Sequence, residues 1–161
     1  MIARALIALT LTAAATPAMA SDYVVIHKEI LVERPADAVW KRVGDYCAIG
    51  EWLKMKCELV SGTGDVGSVR QLNGTTLEPM IGRTDHSYTY GQTAGGMAAF
   101  AYHGTLAVEP VDKKRSKIVY TLIYDAALMP SDEVRKAQLD RVGPRFQGAI
   151  ETMKALAEAE K

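Results

Sequence analysis

The chain has 161 residues, 48% of them apolar and 24% charged, the make-up of an ordinary globular domain and not of a disordered tail, a collagen-like repeat or a cysteine-stapled miniprotein. Nineteen basic residues balance nineteen acidic ones. No net field therefore draws the chain to nucleic acid or to an anionic membrane, and neither is expected as a partner.

Residues 1–20 read as a signal peptide. Arg4 gives a positive start, Ala5 to Ala15 is an apolar run broken only by threonine, and Ala18-Met19-Ala20 is a small-residue cleavage pattern. The run is too short to span a bilayer, and no later stretch approaches roughly 18 apolar residues. Cleavage after Ala20 would leave residues 21–161 as one mature domain, periplasmic or secreted. In such an oxidising compartment Cys47 and Cys57 are either a disulfide or two buried thiols, and the residues alone leave both open.

Tyr23 to Glu33 is rich in β-branched residues and alternates, which predicts a strand. Pro35 opens a helix to Val43 whose apolar face carries Val39, Trp40 and Val43, and Glu51 to Met55 predicts a second short helix. Six further strands are predicted at 57–61, 67–72, 76–84, 86–91, 100–109 and 116–125, separated by turns such as Asn73-Gly74. Beyond Pro130 the pattern is helical, with Ser131 as N-cap and an apolar stripe of Phe146, Ile150, Met153 and Ala157. Pro144 inside that run predicts a kink or a false start. A sheet of this length must bury the stripe of the last helix, and a gap between the two is a natural ligand cavity.

Five of the seven tyrosines lie between positions 88 and 124, whereas the whole chain has two phenylalanines. Alternation puts Tyr88 with Tyr90, Tyr102 with Leu106, and Tyr120 and Tyr124 with Ile118 and Leu122. A buried phenol needs a hydrogen-bond partner, so a core built on tyrosine predicts an aromatic cavity with polar handles. His86 shares the parity of Tyr88 and could face the same cavity. No H-E-x-x-H, P-loop, G-x-G-x-x-G or G-x-S-x-G occurs, so neither a metal nor a nucleotide nor any other cofactor is expected.

The order of elements, together with Pro35-Ala-Asp-Ala-Val-Trp40, Glu51-Trp52, Gly67-Ser68-Val69-Arg70, Leu77-Glu78, Ser87-Tyr88-Thr89-Tyr90 and Tyr102-His103-Gly104, resembles the START-like (SRPBCC) helix-grip superfamily. Within it the chain is most similar to the bacterial polyketide cyclase/dehydrase family. The resemblance implies an α+β fold: a curved antiparallel seven-stranded sheet wrapped around a long C-terminal helix, with two short helices after the first strand. It also implies that Glu51, Glu78, Tyr88, Tyr90 and Tyr102 point into a cavity gated by the loops 72–76 and 92–97. Pro79 departs from the family pattern and predicts an edge position or a bulge beside Glu78.

A carboxylate in a tyrosine-lined cavity could move protons near neutral pH, which makes Glu78, Glu51 and His86 the catalytic candidates. Tyr88, Tyr90, Tyr102, Tyr120 and Tyr124 are the candidates for holding substrate. The expected function is a cofactor-independent lyase, decarboxylase or cyclase acting on a small aromatic or phenolic molecule. The alternative is a non-catalytic periplasmic carrier of a hydrophobic ligand.

Overall fold

Strand periodicity sets the architecture. The computed structural model describes residues 20–159, so the expected signal peptide, apart from Ala20, lies outside the described residues. Strand β1 (Tyr23–Val32) is followed by helices α1 (Ala36–Val43) and α2 (Ile49–Trp52). Strands β2 (Cys57–Ser61), β3 (Val69–Leu72), β4 (Thr76–Thr84), β5 (Ser87–Gly91), β6 (His103–Pro110) and β7 (Ser116–Asp125) come next, then helix α3 (Asp132–Ala159).

The seven strands form one sheet in the order β1-β7-β6-β5-β4-β3-β2, and every neighbouring pair is antiparallel. From β2 to β7 the chain runs as a meander, and β1 joins β7 along its full length. Helix α3 packs on the sheet through Val142, Phe146, Ala149, Ile150, Met153 and Ala157, all buried. This is the α+β helix-grip architecture. No described helix is long and apolar enough to cross a membrane.

Several boundaries differ from the sequence expectation for physical reasons. Helix α3 is continuous through Pro144, so of the two expected outcomes the false start does not occur. Gly143 precedes the proline, and part of the clash that disfavours helix before proline falls on a Cβ that glycine lacks. At its start Ser131 Oγ accepts from the Val134 N–H at 3.4 Å, capping the helix as expected. Strand β6 begins at His103 and not at position 100, because Ala98–Phe100 make a 3-10 turn and Ala101 takes left-handed backbone at φ 50°. Pro79 pairs with Val69 of β3, and the register of β4 against β5 shifts between Met80 and Gly82. The expected irregularity thus lies two residues after the proline, leaving Glu78 on the inner face beside Met80.

Cys47 and Cys57 are joined by a disulfide. The bond ties the segment before α2 to the first residue of β2, closing a short loop that contains α2.

Candidate functional site

The inner face of β3 carries Arg70 and Leu72, and the inner face of β4 carries Glu78 and Met80, all four buried. The loop between the strands holds three residues, Asn73, Gly74 and Thr75, since Leu72 pairs with Thr76. That register sets Arg70 directly opposite Glu78. Arg70 Nε donates to Glu78 Oε2 at 2.8 Å. Nη2 lies 2.7 Å from the same oxygen, an ion-pair contact, although its N–H groups are not aimed at an acceptor. Nη1 donates to the Tyr46 carbonyl at 2.7 Å and lies 3.4 Å from the Tyr88 hydroxyl.

Burying two charges is costly unless their remaining hydrogen-bonding groups are also met. Aromatic faces contribute here: the guanidinium carbon lies 4.3 Å from the centre of the Tyr46 ring and 4.5 Å from that of Tyr90. Such desolvated cation–π contacts contribute about 2 kcal/mol each. The Tyr46 hydroxyl in turn donates to the Glu78 carbonyl at 2.9 Å. Glu78 Oε1, the carboxylate oxygen not held by Arg70, accepts from Gln92 Nε2 at 3.2 Å. Gln92 Oε1 accepts from the Met97 N–H at 2.7 Å, so one side chain fastens the loop 92–97 to the carboxylate.

The tyrosines form a chain beside this pair. Tyr90 on β5 has its hydroxyl 2.8 Å from that of Tyr120 on β7 and 3.5 Å from that of Tyr102. Tyr90 pairs across the ladder with Gly104 of β6, and a Cβ there would lie 2.4 Å from the Tyr90 ring. The absence of a side chain at 104 is what allows the ring to lie over β6. Burial pushes the phenols of Tyr88, Tyr90, Tyr102 and Tyr120 above their ordinary range, so they are neutral hydroxyls that both donate and accept.

A cavity of about 160 Å³ opens between this face and α3. Glu78, Tyr90, Tyr102 and Gln92 supply its polar groups, while Ile49, Leu53, Met55 and Leu72 form apolar wall. Helix α3 contributes the buried Gln138, Val142 and Phe146 inside and the exposed Arg141 and Arg145 around the mouth.

Of the residues singled out in the sequence, Glu78, Tyr90 and Tyr102 meet at this cavity. Tyr120 lies behind Tyr90, against Trp52 and Phe146. Tyr88 lies against Trp40, Tyr46 and Tyr90, beside Arg70 and away from the cavity lining. Tyr124 is buried, does not line the cavity, and its hydroxyl has no hydrogen-bond partner among the described residues.

Glu51 and His86 lie elsewhere. Helix α2 is a single turn that buries Ile49 and Trp52, which directs Glu51 outward, where it makes two hydrogen bonds with Arg42 at 2.7 and 2.5 Å. That contact lowers the Glu51 pKa, away from what a proton donor near neutral pH requires. His86 sits in the tight turn between β4 and β5, where strand parity no longer applies, and its Nε2 lies 2.7 Å from Asp37 on α1. Arg70, Tyr46 and Gln92 hold the site together and were not among the expected site residues. The available signal was the shared parity of Arg70 with Leu72, which puts a charge on the buried face of a strand.

Solved structures of the same fold come from distant proteins. A Streptomyces aromatase/cyclase superposes with a TM-score of 0.72 at 16% identity, covering 85% of this chain and 94% of that one. Norcoclaurine synthase from Thalictrum flavum, solved with dopamine and hydroxybenzaldehyde, gives a TM-score of 0.69 at 18% identity over 96% and 99% of the two chains. A Nitrosospira multiformis protein gives 0.66 at 20% identity over 82% and 94%. At these identities the likeness establishes the fold alone. No curated protein sequence matches the chain. The model of one family, described as polyketide cyclase/dehydrase and lipid transport, matches residues 23–158. With nearly the whole domain matched and the helix-grip fold in place, the chain belongs to the polyketide cyclase/dehydrase and lipid transport family.

Proposed function

We propose that the protein is exported, that it binds a small phenolic or similar single-ring aromatic molecule in the cavity, and that Glu78 takes a proton from that ligand in a cofactor-independent reaction of the lyase, decarboxylase or cyclase kind. The observation that carries the reading is Glu78 itself. One carboxylate oxygen is fixed by Arg70, and among the described residues the other is held only by Gln92 at 3.2 Å, on the lining of a cavity whose wall includes Ile49, Leu53, Met55 and Leu72. A phenolic hydroxyl is the donor such an oxygen accepts best among apolar walls. The volume supports a single ring, since an engineered cavity of about 150 Å³ suffices for benzene. Norcoclaurine synthase, which shares the fold, was solved with two single-ring phenolic molecules. Export is supported by the Ala18-Met19-Ala20 pattern and by the Cys47–Cys57 bond.

A non-catalytic carrier is the second reading, and one observation favours it: of the three ionisable candidates only Glu78 lies at the cavity. Glu78→Gln separates the two. In an enzyme it removes turnover while ligand still binds; in a carrier it changes affinity modestly and there is no turnover to lose. Native mass spectrometry of the purified protein supplies the ligand for that comparison, and intact mass of the exported chain tests cleavage before Ser21. A cavity that takes up no aromatic molecule, with Tyr102→Phe and Glu78→Gln behaving as wild type toward every phenol tried, overturns the reading.

A further inference from the structure

The charges around the cavity are uneven. At its inner end Arg70 and Glu78 neutralise one another. At its mouth Arg141 and Arg145 stand one turn apart on α3, where their like charges repel. Arg42, Arg70, Arg83, Arg115 and Arg135 each meet a carboxylate in an ion pair. Among the described residues neither Arg141 nor Arg145 makes one. Arg141 donates to Gln138 Oε1 at 2.6 Å, and Arg145 Nη2 points at Met55 Sδ at 3.3 Å. A thioether is a weak acceptor, so most of the donors of Arg145 remain unmatched. Arg145 also lies near enough to Tyr102 for its charge to offset part of the effect of burial on that phenol. Two guanidinium groups thus line the mouth of the cavity with no carboxylate partner among the described residues.

We propose that the ligand is a phenolic carboxylate, bound with its ring in the cavity, its hydroxyl on Glu78 Oε1 and its carboxylate at the mouth on Arg141 and Arg145. This rests on the phenolic reading of the cavity and adds the charged end and the orientation. Guanidinium groups match the planar, two-oxygen geometry of a carboxylate, and although both arginines are exposed, two unpaired positive charges one turn apart attract an anion to the mouth in a salt-sensitive way. The reverse orientation would set the ligand's carboxylate against Glu78, two anions on one donor set, and is disfavoured by their repulsion. Reach along the cavity then selects among ligands, because the distance between hydroxyl and carboxylate must match that between Glu78 and the arginines.

The test is calorimetric titration of the purified protein with para-hydroxybenzoate and para-hydroxycinnamate, each against its neutral carboxamide, and with para-cresol. At low ionic strength at least one acid binds about tenfold or more tightly than its carboxamide, and added salt narrows the gap. In the double variant Arg141→Gln/Arg145→Gln that gap closes, while the carboxamide keeps its affinity within about twofold and the melting curve is unchanged. Carboxamides binding as tightly as the acids, or a gap that survives in the double variant, overturn the proposal. If para-cresol and the carboxamides bind in a way that Glu78→Gln weakens while the acids gain nothing, the charged end fails and the phenolic reading stands. If no probe binds, both fail.

Discussion

Arg70 and Glu78 stand directly opposite one another on β3 and β4, joined by a 2.8 Å hydrogen bond at the bottom of the cavity. Both side chains are buried, Arg70 fully so. Neither charge is stable there without the other, so the pair acts as one unit in folding and in presenting Glu78 Oε1. Arg70→Met should strand a buried carboxylate and cost about 3–5 kcal/mol of stability, whereas Arg70→Met/Glu78→Leu should regain most of that loss. Urea denaturation of the two single variants and the double variant measures the coupling. Additive losses would mean the pair does not behave as a unit.

The buried phenols predict an alkaline limit. Tyr88, Tyr90, Tyr102 and Tyr120 have pKa values raised by burial above the ordinary 10.0. Their neutral forms are favoured in the folded state, so their contribution is fully present below pH 10 and is lost as pH rises past it toward the folded values. Tyrosinate absorbance from this cluster should therefore appear together with loss of near-ultraviolet circular dichroism, not before it. Ionisation of all four in a protein that keeps its native dichroism would contradict their burial.

Gly104→Ala should disturb the site without removing any polar group. The new methyl would lie 2.4 Å from the Tyr90 ring, so the ring must move, weakening its 2.8 Å contact with Tyr120. Overpacking of this kind costs about 1–3 kcal/mol. The readouts are a lower melting temperature and weaker binding of phenols. Ala at 104 with wild-type stability and affinity would show that Tyr90 has room to spare.

Ile150→Asp tests how the helix docks. Ile150 is fully buried at the centre of the α3 stripe, and an unpaired carboxylate there should cost about 4 kcal/mol or more. Melting within a degree or two of wild type would place the helix in another register.

The sequence carried the fold because the two periods differ clearly along it. Alternation in 116–125 and the stripe Phe146, Ile150, Met153 and Ala157 survive as β7 and the buried face of α3. Parity also placed Tyr88, Tyr90, Tyr120 and Tyr124 inward, since all four lie within strands. It failed at His86, which is in a turn; Glu51 was expected inward from the resemblance and not from parity, and one helical turn is too short for the sequence to show a face there. Arg70 was harder for a different reason. A two-residue Asn73-Gly74 turn would pair Arg70 with Leu77, and the observed three-residue loop pairs it with Glu78. A single residue in the turn decides whether the two charges meet. Gln92 lies outside the strands, in a loop with no period to read.

The Cys47–Cys57 bond divides the molecule in a way that the strand order does not reveal. Ile49, Leu53 and Met55, three wall residues of the cavity, all lie between the two sulfurs. No residue of the long β1, β6 and β7 strands does. Closing so short a loop stabilises by about 2.5–3 kcal/mol in the chain-entropy model. Reduction should therefore slacken the cavity wall ahead of the scaffold: with reductant present, phenol affinity falls while the sheet still unfolds as one cooperative unit at a lower urea concentration. The shape of the cavity is then a property of the compartment as well as of the sequence, completed only where thiols become oxidised.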